Sequence, residues 1–262
     1  MNNLNRKKVN SIGVFDSGVG GVGVVKELKH VLPNENFIYF GDSLHAPYGE
    51  KTPEQVFELV HSVVKHLLDQ NVKAIVIACN TATSVAAERL RNMYPDIPII
   101  GMEPAIKKGI SSEKRNRVLV MATPVTLNLE KYRRLQQRLD PYADFLAVKC
   151  PGLAKRIEQA NLDGEDLKEM LRRFLDPYKG TIDCVVLGCT HYPFVKKHIQ
   201  EILGDIPLID GGKGTARQLK RVLESKDLLN DQTCEGTIDF QSSTKTEEEL
   251  AIYRYLYDLY EV

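Results

Sequence analysis

Short unbroken apolar runs, rich in valine and isoleucine, recur along this chain. Between them lie longer stretches whose apolar positions return every three or four residues. The first pattern predicts strands covered on both faces, the second amphipathic helices. Strands are expected over residues 11–16, 36–40, 74–78 and 97–101. A second round is expected over 118–122, 143–148, a run from Asp183 that ends at Cys189, and 207–209. A glycine-rich turn, 17–23, precedes a helix over 24–32 that Pro33 stops. The helix beginning at Pro53 carries its own start signal, with Thr52 as N-cap and Gln55 as its capping-box partner. Its apolar positions Val56, Leu59, Val60, Val63, Val64 and Leu67 keep the helical period. Further helices are expected after Cys79, over 123–139, 153–159, 167–175, 194–203 and 215–225, and from Thr246 to the end. A last short strand is expected near 237–240.

Strand-loop-helix alternation implies a mostly parallel sheet in each half. The interval from Asp16 to Thr123 is close to that from Cys79 to Cys189, so the halves read as a duplication. The expected fold class is α/β, with two pseudo-symmetric domains, each a mostly parallel sheet flanked by helices, and an active site in the cleft between them. The first domain is expected to be discontinuous, residues 1–101 plus 211–262, with 102–210 as the second.

Lys plus Arg and Asp plus Glu both number 35. That balance removes the broad attraction for nucleic acid that a basic chain would have. The polar, basic residues 1–10 are followed by no apolar core of a signal peptide, and no run is long enough to span a membrane. Five cysteines without a secretion signal read as reduced thiols in the cytoplasm rather than a disulfide framework.

Cys79 and Cys189 each close a buried strand just before a polar turn and a helical run. Open α/β sheets place ligands at that edge, and a helix amino end favours a thiolate. Two thiols in matched contexts would face one substrate from opposite sides. A zinc site is the rival reading, but there is no C-x-x-C, and Cys184 would sit inside the strand. Cys184 and Cys150 read as packed structural residues, and Cys234 as part of a polar tail. His191, two residues after Cys189, is a candidate acid–base aid, as are Asp16 for Cys79 and, further off, Glu158. His45, His61, His66 and His198 read as solvated.

Gly18-Val-Gly-Gly-Val-Gly23 fits the dinucleotide fingerprint, with Asp42 at the ribose position. Asp16 argues against it, because a carboxylate would stand where the pyrophosphate belongs. The glycines then either make a tight turn only or form a nest for a small carboxylate.

Taken together, Phe15-Asp-Ser-Gly-Val-Gly-Gly21, Gly41-Asp42 with Pro47-Tyr-Gly49, Ala78-Cys-Asn-Thr-Ala82, Glu103-Pro104, Cys150-Pro151 and Leu187-Gly-Cys-Thr-His-Tyr-Pro193 resemble the bacterial glutamate racemase family, within the aspartate/glutamate racemase superfamily. The motifs stand in the family's order and cover residues 12 to 212. The resemblance implies a cofactor-independent, two-base racemase supplying D-glutamate for peptidoglycan synthesis. It implies Cys79 and Cys189 as the proton-transfer groups, assisted by Asp16, Glu158 and His191. Substrate contacts would fall on Asp16, Ser17, Tyr48, Gly49, Asn80, Thr81, Thr190 and His191. It implies a cytoplasmic homodimer with no metal. The chain departs from the family's pattern at residues 152–158, at Leu127-Asn-Leu129 and at Asp210-Gly-Gly212.

The chemistry agrees. Inverting an α-carbon needs a base on one face and an acid on the other. A thiol, with an ordinary pKa of about 8.5, can be tuned toward neutral for either role. No lysine is singled out as a Schiff-base former, so pyridoxal phosphate is not indicated. Hydrogen bonds from Ser17, Asn80, Thr81 and Thr190 to the substrate carboxylate would stabilise the carbanion. Three other classes remain at this point: a racemase of aspartate or another acidic amino acid, an NAD-dependent enzyme, and a non-catalytic amino-acid sensor.

Overall fold

The computed structural model describes residues 8–102, 105–110, 115–128 and 130–262. Glu103-Pro104, residues 1–7 and Leu129, used above, lie outside them. The chain divides into two compact units, Met1–Met102 with Gly212–Val262, and Glu103–Gly211.

The first unit is built on five parallel strands: β1 (Ile12–Asp16), β2 (Phe37–Gly41), β3 (Ala74–Ile77), β4 (Ile99–Gly101) and β9 (Ile238–Ser242). Their order is β4-β3-β1-β2-β9, so the last strand of the chain completes the first sheet. Helix α1 (Gly21–Val31) follows β1, α2 (Pro53–Asp69) precedes β3, and α3 (Asn80–Met93) follows it. The predicted capping box at Thr52 and Gln55 is present. Val56, Val60, Val63, Val64 and Leu67 of α2 are buried with Phe15, Ile75 and Ile77 and with Ala82, Ala86 and Leu90 of α3. Each such aliphatic side chain contributes about 1.5–3 kcal/mol on burial. Helices α9 (Gly212–Ser225) and α10 (Glu247–Leu259) pack on α1.

The second unit has four parallel strands: β5 (Asn116–Ala122), β6 (Ala143–Lys149), β7 (Cys184–Leu187) and β8 (Leu208–Ile209), in the order β6-β5-β7-β8. Alternate residues serve opposite faces, as the pleat demands. Leu119, Met121, Val185 and Leu187 join one apolar layer, and Val118, Val120, Ala122, Cys184 and Val186 the other. Over 123–139 the described residues are helical at α4 (Pro124–Asn128) and α5 (Glu130–Leu139). They are followed by α6 (Leu153–Ile157), α7 (Glu165–Leu175) and α8 (Lys196–Leu203).

Strand order matches between the sheets: β4-β3-β1-β2 corresponds to β8-β7-β5-β6. Register corrects the proposed alignment by one residue. Phe15 pairs with Ile77 as Met121 pairs with Leu187. Asp16 therefore corresponds to Ala122, and Ser17 to Thr123. The second unit carries no carboxylate where the first carries Asp16.

Candidate active site

Cys79 stands one residue beyond Ile77-Ala78 and is the N-cap of α3, with no intervening turn. Its sulfur accepts the Ala82 backbone N–H at 3.4 Å. A backbone donor and a helix amino end both favour negative charge on that sulfur. Asn80 and Thr81, expected in a turn, occupy the first turn of the helix and are buried. Asn80 is 3% exposed, and both polar atoms of its side-chain amide have no hydrogen-bond partner among the described residues. An unsatisfied buried amide costs about 1–3 kcal/mol, a cost a bound carboxylate would offset.

Asp16 ends the neighbouring strand β1, fully buried, and accepts the Gly18 N–H at 3.0 Å. Ser17 is buried beside it. The glycine turn is shorter than expected, since α1 begins at Gly21. Among the described residues only Gly152, Gly180 and Gly204 are glycines of positive φ, so the glycines of this turn do not use the left-handed region. Gly21 is needed for close packing instead: a Cβ there would lie 2.5 Å from the Asp16 Cβ and 2.9 Å from the Tyr39 ring.

Tyr48 and Gly49 are buried in the first two positions of a single 3₁₀ turn, Tyr48–Glu50. The Tyr48 hydroxyl donates to Asp42 at 2.6 Å, and His45 Nδ1 lies 2.8 Å from the other Asp42 oxygen. Burial, and then the negative charges of Asp42, Cys79 and Asp16, push the Tyr48 phenol well above its ordinary value, so it remains a neutral donor. Asp42, which the dinucleotide reading would assign to a ribose, is committed to holding this loop.

In the second unit Cys189 follows β7 at the place where Cys79 follows β3. Ala78 N–H donates to Phe15 O at 2.8 Å, and Gly188 N–H makes the same bond to Met121 O at 2.7 Å. Beyond the cysteines the likeness ends. Cys189 opens into a 3₁₀ turn, Tyr192–Val195, before the short α8. Cys189 Sγ lies 3.5 Å from His191 Nδ1, and Thr190 Oγ1 is 3.4 Å from the same nitrogen. His191 Nε2 lies 2.5 Å from Glu158 Oε1, at the C-cap of α6. Burial disfavours a charged imidazole, but the Glu158 carboxylate and the Cys189 sulfur outweigh it and hold His191 well above the usual histidine range. A carboxylate thus reaches this edge from the end of α6 rather than from the end of β5.

The structure brings Asp16, Ser17, Tyr48, Gly49, Asn80 and Thr81 to the sheet edge that carries Cys79. It brings Glu158, Thr190 and His191 to the edge that carries Cys189. Other residues there were not read as part of the site. Cys150 is buried, its N–H bonded to Ala122 O at 3.1 Å just as Asp42 N–H bonds Asp16 O at 3.0 Å. Burial and the nearby Cys189 push the Cys150 thiol up to about 12, against the pull of the Tyr192 hydroxyl. Thr123 and Thr126, buried at the start of α4, bond through their hydroxyls at 3.0 Å; the Thr-x-x-Thr spacing after a strand was the available signal. The solvated reading fails for His198, which is buried, and holds for His66, which is exposed; His45 and His61 are half-buried. His61 bonds Tyr94 at 2.9 Å, and His66 bonds Gln241 at 3.1 Å. His198 is buried between Leu162 O at 2.8 Å and Glu201 at 3.0 Å. Among the described residues no cluster of three or more His, Cys, Asp or Glu could hold a metal ion, and no helix is long and apolar enough to cross a membrane.

The profile of the Asp/Glu/Hydantoin racemase family matches residues 21–219. The chain belongs to that family. It is 47% identical over 253 residues to the glutamate racemase of Clostridium acetobutylicum, covering 96% of this chain and 99% of that one. Among solved structures it is similar to the glutamate racemase of Francisella tularensis in complex with D-glutamate, with a TM-score of 0.83 and 32% identity over 96% of this chain and 94% of that one. It is similar also to the Escherichia coli glutamate racemase in complex with L-glutamate and the activator UDP-MurNAc-ala, with a TM-score of 0.81 and 29% identity over 95% of each chain. The chain is thus a racemase-family enzyme of α/β fold, with two parallel sheets flanked by helices.

Proposed function

We propose that this enzyme interconverts L- and D-glutamate by proton transfer at the α-carbon between the thiols of Cys79 and Cys189, with no cofactor. The observation that carries the reading is the matched seat of the two cysteines, each one residue past the same backbone bond on equivalent strands. One thiolate removes the α-proton and becomes a thiol. The opposite thiol delivers its proton to the other face and becomes the thiolate. The substrate is inverted, and the two sulfurs exchange roles for the reverse reaction. Asp16 assists at Cys79, and His191, held by Glu158, assists at Cys189. Ser17, Tyr48, Gly49, Asn80, Thr81, Thr190 and His191 bind the substrate, with the buried Asn80 amide as a carboxylate donor. Donors fixed in advance around the developing negative charge contribute several kcal/mol. Glutamate as substrate is supported by the named relatives and by the bound glutamate in the similar structures. D-Glutamate made this way would feed peptidoglycan synthesis, by a cytoplasmic homodimer whose two units are the catalytic domains.

Racemisation of L- and D-glutamate and of aspartate, followed by circular dichroism, tests this together with deuterium uptake at the α-carbon from heavy water. Cys79→Ser and Cys189→Ser should each lower interconversion by about 10²-fold or more. Full turnover in either variant, or faster turnover of aspartate, overturns the reading.

A further inference from the structure

Two tyrosines outside the site just described converge on the turn that carries Asp16. Tyr39 in β2 is fully buried, and its hydroxyl donates to the Gly18 carbonyl at 2.5 Å. The Gly18 N–H in turn donates to the Asp16 carboxylate. Both backbone polar groups of Gly18 are thereby engaged, one by the side chain to be aimed and one by Tyr39. Gly21 leaves room for the Tyr39 ring against the Asp16 Cβ. Behind Tyr39 stands Tyr253 of α10, edge-on with ring centroids 5.3 Å apart. Its hydroxyl is 2.8 Å from Ser43 Oγ and donates to Ser242 Oγ at 3.3 Å. A buried phenol could satisfy its hydroxyl in many ways; here the bond falls on the residue that holds Asp16.

We propose that Tyr39, braced by Tyr253 of the C-terminal helix, is a positioning residue that aims the Asp16 carboxylate through the Gly18 backbone. The inference rests on the two-thiol reading, in which Asp16 assists Cys79. Neither tyrosine touches the reacting atoms. Their effect is carried by a carbonyl whose displacement would swing the turn. Misplacement of an assisting group lowers the chemical step more than binding.

The test compares wild type, Tyr39→Phe, Tyr253→Phe, Asp16→Asn and the double variant Tyr39→Phe/Asp16→Asn. Glutamate racemisation is measured in both directions, and thermal unfolding beside it. Tyr39→Phe keeps the ring and removes only the hydroxyl. It should lower kcat about tenfold, the worth of roughly one hydrogen bond, with KM within about twofold. Tyr253→Phe should show a smaller loss of the same kind. In the Asp16→Asn background, Tyr39→Phe should cost nothing more, because the group it aims is already gone. Losses that multiply, or a Tyr39→Phe variant that is less stable yet turns over at the wild-type rate, would overturn the positioning role. Wild-type protein that leaves glutamate optically unchanged would instead remove the functional reading on which the inference rests.

Discussion

Glu158 Oε1 lies 2.5 Å from His191 Nε2, although 33 residues separate the two in the chain. The other ring nitrogen of His191 faces the Cys189 sulfur. The imidazole therefore bridges a carboxylate and the Cys189 sulfur. Glu158→Gln removes the carboxylate that works hardest against burial. The imidazole should then titrate at lower pH by NMR, and turnover should fall about 10- to 100-fold. Wild-type His191 is raised above its unfolded value of about 6.5. Its stabilisation is therefore complete below that value and fades as pH rises through the higher folded value. Unfolding free energies followed from about pH 6 upward should decline more steeply in wild type than in Glu158→Gln.

Asn80 carries a buried amide without a partner among the described residues. Asn80→Ala removes packing but also removes the desolvation cost of that amide. The free protein should change in stability by no more than about 1 kcal/mol, while KM for glutamate rises roughly tenfold or more. Urea unfolding and steady-state kinetics on the same preparation check both halves.

A Cβ at Gly41 would overlap the Tyr253 hydroxyl and come within 3.0 Å of the Gly18 carbonyl oxygen. Because the second neighbour is backbone, the strain cannot be relieved by one rotamer. Gly41→Ala should lose about 1–3 kcal/mol, seen as a lower urea midpoint at unchanged slope.

Lys73 and Glu35 form an ion pair with side chains 0% and 2% exposed. Lys73 also donates to the Lys8 carbonyl, and Glu35 accepts the Asn230 N–H at 2.8 Å. Lys73→Met leaves the carboxylate buried and uncompensated, so it should cost about 3–5 kcal/mol. Adding Glu35→Gln should recover part of that loss, since the amide oxygen still accepts from Asn230. A double-mutant cycle in guanidinium measures the coupling.

The chain's own order of residues determined the α/β alternation, the two cysteine strands and the start of α2 at Thr52. Each of these rests on neighbours in sequence: a β-branched run, a helical period, a cap three residues from its partner. The same local signals misplaced the start of α1, because glycine propensity marks a turn at Gly21 while packing against Asp16 and Tyr39 makes that glycine helical. They also shifted the second unit by one residue, since interval counting cannot see strand register, which backbone hydrogen bonds decide. Glu158 with His191, Tyr48 with Asp42, Tyr39 with Gly18 and Tyr253 with Ser43 emerged only in three dimensions. These partners lie on different elements, and no periodicity along the chain encodes which side chain a folded sheet edge will set opposite another.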